Sequence, residues 1–86
     1  MFDIKYAKSV KRDISKIDRN QLKKIKKAIE NLIRFPDVPN IKHLSAHPLA
    51  DYRLRVGEYR VLFDAYSDKK VIYILKIGHR KDVLRL

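Results

Sequence analysis

The sequence predicts an α+β fold, in which an N-terminal strand and a two-helix hairpin pack on a twisted antiparallel sheet of about four strands. Apolar residues recur at helical spacing in the first half, and β-branched and aromatic residues form short runs in the second half. A length of 86 residues, of which 45% are hydrophobic, suits one domain with its own core. We therefore expect a single domain over residues 1–86.

The N-terminal half begins as a strand and continues as a helix. Residues 2–6 alternate apolar and polar side chains, which predicts a short strand. Val10, Ile14 and Ile17 then recur at helical spacing behind Ser9, which is a candidate N-cap. These residues predict a first, short amphipathic helix.

A second helix is predicted where the next capping signal occurs. Asp18 is followed three residues later by Gln21, which is the form of a capping box. Phe35-Pro36 ends this helix, because the residue before a proline disfavours helical backbone. The apolar face of the helix comprises Leu22, Ile25, Ala28, Ile29, Leu32 and Ile33, whereas lysines that include Lys23 and Lys27 take the opposite face. Since the connection is short, we expect the two helices to form an antiparallel hairpin.

Three strands are predicted after a proline-containing connection. The runs Tyr52–Val56, Tyr59–Ala65 and Val71–Ile77 are rich in β-branched and aromatic residues. Gly57 is the first of two residues that connect the first two runs, which predicts a type II′ hairpin turn. The last run is almost wholly apolar, so we expect a central strand that is covered on both faces and ends at Gly78.

The two-residue turn also fixes the register of this hairpin. It pairs Val56 with Tyr59, Arg55 with Arg60, Leu54 with Val61, and Arg53 with Leu62. Alternation then places Arg53, Arg55 and Arg60 on the face opposite the apolar side chains. Asp64 is the only carboxylate on that face of the hairpin. Like charges across a ladder are destabilising, so the pattern favours a bound phosphate, which suits the planar guanidinium. The alternative is that these arginines protect an edge strand from aggregation.

The composition indicates a polyanionic partner. The chain carries 21 Lys and Arg against 10 Asp and Glu, a formal charge of +11, which favours nucleic acid over an acidic lipid surface. It contains no cysteine, which excludes disulfides, thiolate zinc sites and cysteine nucleophiles. We find no signal peptide and no apolar run long enough to cross a membrane, so we expect a cytoplasmic protein without a membrane partner.

The stretch after the last predicted strand adds further basic candidates. His79, Arg80 and Lys81 follow that strand directly. If the predicted strand Val71–Ile77 pairs with residues 59–65, these side chains would project beside the face that carries Arg53, Arg55 and Arg60. The helix lysines could contact ribosomal RNA or anionic lipid, or form a solvated face.

Histidines and tyrosines provide further candidate site residues. His43 and His47 have the spacing of two metal ligands on a helical turn, but no suitable third ligand accompanies them, and we predict no metal site. Tyr66, in the predicted turn after the strand Tyr59–Ala65, is a candidate for stacking on a base or is simply exposed. Alternation places Tyr6, Tyr59 and Tyr73 at core-facing positions.

Two segments together resemble a known toxin family. The stretch YRLRVGEYRVLF at residues 52–63 and the stretch IGHRKDV at residues 77–83 are similar to the RelE/ParE superfamily of bacterial and archaeal toxins, on its RelE side. The resemblance covers essentially the whole chain. It implies a RelE-like fold, similar to that of microbial ribonucleases, and a ribosome-dependent mRNA endonuclease that needs no metal or other cofactor.

The resemblance also implies a mechanism and a set of site residues. In such an enzyme the RNA 2′-OH attacks its adjacent phosphate, cations stabilise the pentavalent species, and a base and an acid transfer two protons. Arg60 and Arg80 match the phosphate-binding and leaving-group arginines of the family. The implied catalytic residues are Arg53, Arg55, Arg60, His79 and Arg80, and the implied RNA-binding residues are Arg53, Arg55, Arg60, Arg80, Lys81, Lys23 and Lys27.

Two departures from the family pattern leave alternatives open. Positions 53 and 55 are often lysine in the family, and an arginine effectively cannot lose a proton to act as a base. The family commonly has a tyrosine where this chain has Leu84, so His79 is the substitute for proton transfer. The alternatives are a ParE-like inhibitor of DNA gyrase and a catalytically impaired RNA-binding relative.

The resemblance implies partners as well. A cognate RelB-like antitoxin, acidic or amphipathic, is expected to cover the basic patch or to displace the C-terminal segment. The toxin alone is expected to be a monomer and to form a hetero-oligomer with its antitoxin. The other expected partners are mRNA and ribosomal RNA on the ribosome.

Overall fold

The structure, a computed structural model, describes residues 1–83. Within this range a five-stranded sheet is covered on one face by two helices, which confirms the α+β class. The strands are β1 (Asp3–Tyr6), β2 (Ile41–His43), β3 (Tyr52–Val56), β4 (Tyr59–Tyr66) and β5 (Val71–His79). The helices are α1 (Val10–Ser15), α2 (Arg19–Glu30) and α3 (Arg80–Val83), and a 3₁₀ helix at Asn31–Arg34 follows α2. None of the helices within residues 1–83 has the length and apolar character needed to cross a membrane.

The sheet has one more strand than predicted and is mixed, not wholly antiparallel. The strand order is β1-β5-β4-β3-β2, with β1 parallel to β5 and all other neighbours antiparallel. The additional strand β2 lies in the proline-containing connection, where Ile41 pairs with Leu54. A strand of three residues contains too little alternation to be recognised from the sequence.

Strand β5 continues past its predicted end. Gly78 pairs with Arg60 of β4, and His79 pairs with Tyr59, so the glycine lies inside the ladder instead of ending it. The helix α3 follows at once, and the Arg80 N–H donates a hydrogen bond of 2.7 Å to the Glu58 carbonyl oxygen. The hairpin turn and the start of α3 are therefore joined.

A β-bulge at Leu75 changes the side on which the residues of β5 lie. Lys76 pairs with Leu62, but the next residue of β4 pairs with Ile74, so Leu75 is an extra residue. The bulge reverses the alternation along the strand. Tyr73 consequently lies on the face opposite the helices and is 36% exposed, so its predicted core-facing position is wrong. The outer face of β5 is covered only in part, contrary to the prediction.

The helix α2 packs on the sheet through its predicted apolar face. Ile25 and Ile29 are fully buried in one cluster with Val61 and Phe63. Asp18 begins the helix as predicted, because its Oδ1 accepts a hydrogen bond of 2.7 Å from the Asn20 N–H. The α2 face of the sheet is thus the core face.

Ser9 is at the predicted N-cap position of α1 but does not cap the helix with its side chain. Its backbone angles are helical, and its carbonyl oxygen accepts hydrogen bonds of 3.2 Å from the Arg12 N–H and 3.4 Å from the Asp13 N–H. The Val10 N–H instead donates a hydrogen bond of 3.0 Å to the Ala7 carbonyl oxygen, so the helix begins in a backbone turn. The helix ends at Ser15, before Ile17, although Ile17 packs against the core.

The helix α1 covers the free edge of β5. Strand β1 pairs with Val71–Ile74, and beyond this range the edge of β5 has no strand partner among the described residues. Asp13 of α1 accepts a hydrogen bond of 3.0 Å from the Ile77 N–H, and its other oxygen lies 3.6 Å from Lys76 Nζ. Because a buried strand N–H needs an acceptor, Asp13 fixes the part of β5 that leads to Gly78.

The outer face carries a second, smaller apolar cluster. Ala50 and Leu62 are buried against each other, and Leu44 and Leu75 pack around them. The connection between β2 and β3 therefore lies across the middle of the outer face. It leaves one end of that face open near the turn at Gly57 and the other open near the turn between β4 and β5.

Candidate functional site

The hairpin of β3 and β4 has the predicted register. Arg55 pairs with Arg60, and Arg53 pairs with Leu62. A type II′ turn requires a positive φ at its first central residue only. Gly57, the first, has a φ of +58°, and Glu58, the second, does not have a positive φ. The turn therefore holds Arg53, Arg55 and Arg60 on the outer face, at the end of the hairpin where the two strands meet.

Arg60 is the buried centre of this group, with 9% of its surface exposed. Its Nη1 donates long hydrogen bonds to the carbonyl oxygens of Gly57, at 3.4 Å, and Tyr59, at 3.3 Å. Within residues 1–83, the Nε atoms of Arg60 and of Arg53 are both buried without a hydrogen-bond partner. Buried donors are nearly always satisfied in folded proteins, so two such donors on the same face of the sheet are typical of a site that receives an acceptor.

The electrostatics of Arg60 reflect its surroundings. Burial lowers the pKa of its guanidinium, and the positive charges of Arg53, Arg55 and Arg80 lower it further, whereas Glu58 opposes the shift. An arginine nevertheless stays charged in proteins. The four residues Arg53, Arg55, Arg60 and Arg80, hereafter the arginine cluster, therefore concentrate positive charge around one partly desolvated side chain.

Arg80 joins the cluster through the hairpin turn. Its Nε lies 2.8 Å from the Oε2 of Glu58, and both side chains are more than half exposed. Such an exposed pair contributes little stability, but it orients the Arg80 side chain. Asp64, the carboxylate predicted on this face, is engaged elsewhere, because its Oδ1 accepts a hydrogen bond of 2.7 Å from the Asp51 N–H.

Glu58 is the residue that the sequence analysis missed. Its carboxylate contacts Arg80 and influences Arg60, so it is a negatively charged group beside the cluster. Its position in the turn, between Arg55 and Arg60, is the feature of the sequence that indicates this role. A two-residue turn is usually exposed, and its sequence predicts the backbone conformation but not the contacts of its side chains.

His79 does not lie beside the cluster, contrary to the prediction. It pairs with Tyr59, a residue of the core face, and the two rings pack edge to face with centroids 5.6 Å apart. Its Nδ1 accepts a hydrogen bond of 3.2 Å from the Lys81 N–H. Because β5 alternates between Gly78 and His79, the His79 ring lies on the side of the sheet away from Arg60.

The remaining predicted basic residues are distributed over the surface. Lys81 is exposed on α3, one residue beyond Arg80. Lys23 and Lys27 are exposed on α2, which covers the core face, so the sheet separates them from the cluster. Leu84 lies outside the described residues.

The two histidines with metal-ligand spacing are not on a helix. His43 lies in β2, with its ring centroid 5.2 Å from that of Tyr52. His47 lies in the following loop, where its Nδ1 accepts a hydrogen bond from the Leu49 N–H. In residues 1–83, no three His, Cys, Asp or Glu side chains are grouped in a way that could hold a metal ion.

Comparison with known proteins places the chain in a family. The model of the ParE toxin of type II toxin–antitoxin systems, parDE, matches residues 4–84. The RelE1 protein of Methanocaldococcus jannaschii is 33% identical over 84 residues, which cover 93% of this chain and 91% of that protein. The chain belongs to the RelE/ParE toxin family. This result confirms the resemblance inferred from residues 52–63 and 77–83.

Solved RelE structures share the fold of this RelE/ParE chain. The toxin–antitoxin complex RelBE2 of Mycobacterium tuberculosis superposes with a TM-score of 0.80 at 22% identity, covering 92% of this chain and 98% of that chain. The RelB–RelE complex of Methanococcus jannaschii gives a TM-score of 0.75 at 25% identity, covering 94% and 95%. The predicted RelE-like fold is therefore confirmed.

Proposed function

We propose that this RelE/ParE family member is an mRNA endonuclease whose arginine cluster binds the scissile phosphate. The observation that carries the proposal is the burial of Arg60 with an unpartnered Nε among three other arginines. A phosphate oxygen would accept from that donor, and its negative charge would relieve the repulsion among the guanidinium groups. Arginine forks bind phosphate with two parallel hydrogen bonds, which adds geometric selectivity.

The proposed reaction is an in-line transfer within the RNA. The 2′ oxygen loses its proton and forms a bond to the adjacent phosphorus while the bond from phosphorus to the 5′ oxygen breaks. The 5′ oxygen takes a proton from solvent water, which leaves a cyclic phosphate and a free 5′-OH. Arg53, Arg55 and Arg60 would stabilise the extra negative charge of the pentavalent species. Arg80, at the edge of the cluster, would face the leaving oxygen.

Glu58 is the proposed acceptor for the 2′-OH proton. Guanidinium groups cannot accept a proton, and the His79 ring lies on the other side of the sheet. Glu58 carries a carboxylate against Arg80 and is more than half exposed, so it is accessible to a bound strand. Replacing Glu58 with glutamine should lower the cleavage rate by about 10²- to 10⁴-fold, the usual contribution of a general base, with little change in RNA affinity.

Mapping of cellular mRNA by primer extension tests the endonuclease proposal. Inducing the wild-type protein should create new 5′ ends inside coding sequences, and inducing Arg60→Ala should not. Arg12→Ala, which removes an exposed arginine from α1, is the matched control and should cleave like the wild type. Arg60 is buried, so Arg60→Ala also leaves a cavity that can destabilise the fold. Arg55 is exposed, and Arg55→Ala therefore tests the same cluster without creating a cavity.

Intact transcripts during wild-type induction would overturn the endonuclease proposal. If they were accompanied by a DNA damage response, the ParE-like inhibition of gyrase would account for the toxin instead. RNA binding without cleavage or growth arrest would indicate the catalytically impaired relative.

We also propose that a cognate antitoxin neutralises this chain. The relatives from Mycobacterium tuberculosis and Methanococcus jannaschii were solved as RelB–RelE-type complexes, which supports a partner of this kind. An apolar groove of about 570 Å³ runs between α1 and α2, lined by residues that include Val10, Ile14, Leu22 and Ile25. Lysines border it, so an acidic amphipathic segment has the complementary chemistry.

Coexpression tests the antitoxin proposal. The product of a short reading frame adjacent to the toxin gene should restore growth and copurify with the chain. Leu22→Glu, which places a negative charge in the groove, should reduce copurification, whereas Lys23→Glu on the opposite face of the same helix should not. Growth arrest that no neighbouring gene relieves would contradict the proposal.

A further inference from the structure

The outer face of the sheet carries two exposed tyrosines at the end away from the arginine cluster. Tyr66 is 46% exposed and Tyr73 is 36% exposed. Alternation along β4 places Tyr66 on the same face as Arg60, and Tyr73 lies on this face because it pairs with Asp64. Tyr66 pairs with Val71, two residues from Tyr73, so the two rings are diagonal neighbours within reach of each other. We call them the tyrosine pair.

Outer-face positions of β5 lie between the tyrosine pair and the arginine cluster, beside the small apolar cluster of Leu62 and Leu75 in the middle of this face. Gly78 lies directly opposite Arg60 and presents no side chain, so a strand of RNA can approach the backbone there. Lys76 lies between Gly78 and Tyr73 on the same face, with a third of its side chain exposed. The six residues from Tyr73 to Gly78, which include the bulge residue Leu75, span at most about 16 Å at the usual strand rise.

Basic side chains border the tyrosine pair, with carboxylates among them. Lys5 lies opposite Tyr73 on β1 and is exposed, and Lys69 is exposed in the turn that follows Tyr66, next to Lys70, whose Nζ lies 5.1 Å from the Phe2 ring centroid. Asp3 and Asp68 are exposed on the same segments, and the carboxylate of Asp64, opposite Tyr73, accepts a hydrogen bond from the Asp51 N–H. Exposed aromatic rings beside basic side chains are the usual means of binding single-stranded nucleic acid without reading its sequence.

We propose that Tyr66 and Tyr73 form a second RNA subsite, which stacks bases of the same strand whose phosphate lies in the arginine cluster. This inference rests on the proposed function and adds where nucleotides that flank the scissile bond are bound. A strand that reaches both ends is short, on the order of four nucleotides, at the low end of single-strand site sizes. Because every base has an aromatic face, this subsite contributes affinity and direction, not sequence preference.

Equilibrium binding of single-stranded RNA tests the subsite. The probe is a labelled, 2′-O-methylated oligouridine, which cannot be cleaved through its 2′ oxygen, measured by fluorescence anisotropy. Tyr73→Ala and Tyr66→Ala should each weaken binding by about tenfold, the loss of one stacked base. Tyr6→Ala is the matched control, because Tyr6 is 44% exposed but lies on the helix side of the sheet, and it should bind like the wild type.

The salt dependence separates this inference from the proposed function. A tyrosine carries no charge, so Tyr73→Ala should leave the log–log slope of affinity against salt unchanged. Arg53→Ala should lower the slope by about 0.7, the loss of one phosphate contact on single-stranded nucleic acid. An oligonucleotide with abasic sugars, which loses both stacked bases, should bind the wild type more weakly than the full probe binds either tyrosine variant.

A tryptophan reporter provides a second measurement that preserves the aromatic ring. The chain contains no tryptophan, so Tyr73→Trp introduces a single fluorophore. Its emission should be quenched by the oligouridine and not by the abasic strand, whereas Tyr6→Trp should respond to neither.

Each outcome decides the inference. Wild-type affinity in Tyr73→Ala and Tyr66→Ala, together with a reduced slope in Arg53→Ala, would overturn the second subsite and leave the proposed function intact. Loss of antitoxin binding in the tyrosine variants, with RNA affinity unchanged, would also overturn it and assign the surface to the antitoxin. Absence of RNA binding by the wild type would overturn both proposals.

Discussion

Replacing Arg60 with methionine should stabilise the free protein while it removes the anion site. Arg60 is 91% buried, its Nε has no partner, and the cations of Arg53, Arg55 and Arg80 surround it. An unsatisfied buried donor costs about 1–3 kcal/mol, and the two hydrogen bonds that methionine forfeits are long, at 3.3 and 3.4 Å. The linear methionine side chain fills much of the same space. We therefore expect a net gain of about 1 kcal/mol in the free energy of unfolding.

Thermal unfolding followed by circular dichroism measures this gain. For a domain of this size, 1 kcal/mol corresponds to a rise in Tm of about 4–8 °C. Arg12→Met is the control, because Arg12 is exposed and its replacement should change stability by less than about 0.5 kcal/mol. Inorganic phosphate at constant ionic strength should raise the Tm of the wild type and of Arg12→Met, and should leave Arg60→Met unchanged, because only a folded state with an anion site gains from the ligand.

Two results would refute this reasoning. A Tm for Arg60→Met below that of the wild type at low salt would mean that the guanidinium stabilises the fold through its long hydrogen bonds. An equal response of wild type and Arg60→Met to phosphate would mean that the anion binds elsewhere.

Three further predictions follow from the fold and the charges. Asp13→Ala should lower the free energy of unfolding, measured by urea titration, by about 1–3 kcal/mol, because the Ile77 N–H loses its acceptor. Asp13→Asn keeps an acceptor oxygen and should lower it less. Equal losses in the two variants would contradict this role. Leu75 deletion should remove the bulge and leave Tyr73 on the outer face, because Lys76 and Ile74 keep their partners Leu62 and Phe63 in a regular ladder; amide exchange should show protection along β5 as in the wild type, and its loss would contradict this pairing. Burial, reinforced by the charge of Glu30, raises the pKa of the Tyr6 phenol, so the neutral form is favoured in the folded state. Stability from Tyr6 should be present below the ordinary tyrosine pKa and lost as pH rises through the raised value, and Tyr6→Phe should remove a phenolate signal that titrates above the ordinary tyrosine pKa.

The register of the arginine hairpin could be predicted because a two-residue turn leaves no freedom in the pairing. Gly57 and the alternation on either side of it were enough to place Arg55 opposite Arg60. The sequence also indicated the face that α2 buries, because Ile25 and Ile29 recur at helical spacing within a lysine-rich helix.

The features that were missed have physical reasons. A continuous apolar run has no alternation, so the bulge at Leu75 and the outward position of Tyr73 left no signal in the sequence. The predicted position of His79 beside the arginine cluster requires β5 to end at Gly78. The ladder continues for one more residue, so the His79 ring lies on the core side of the sheet. Glu58 was missed because the contact of its carboxylate with Arg80 is long-range in sequence.

Single-turnover cleavage of ribosome-bound mRNA tests the central claim, that the arginine cluster stabilises the reacting phosphate, most directly. Purified wild-type protein and Arg12→Ala should cut at the same rate and leave a cyclic phosphate with a free 5′-OH. Arg55→Ala, which removes an exposed member of the cluster, should cut about 10²- to 10³-fold more slowly, the usual effect of losing one donor to developing negative charge. Equal rates for Arg55→Ala and the wild type, or an equal loss in Arg12→Ala, would contradict the claim.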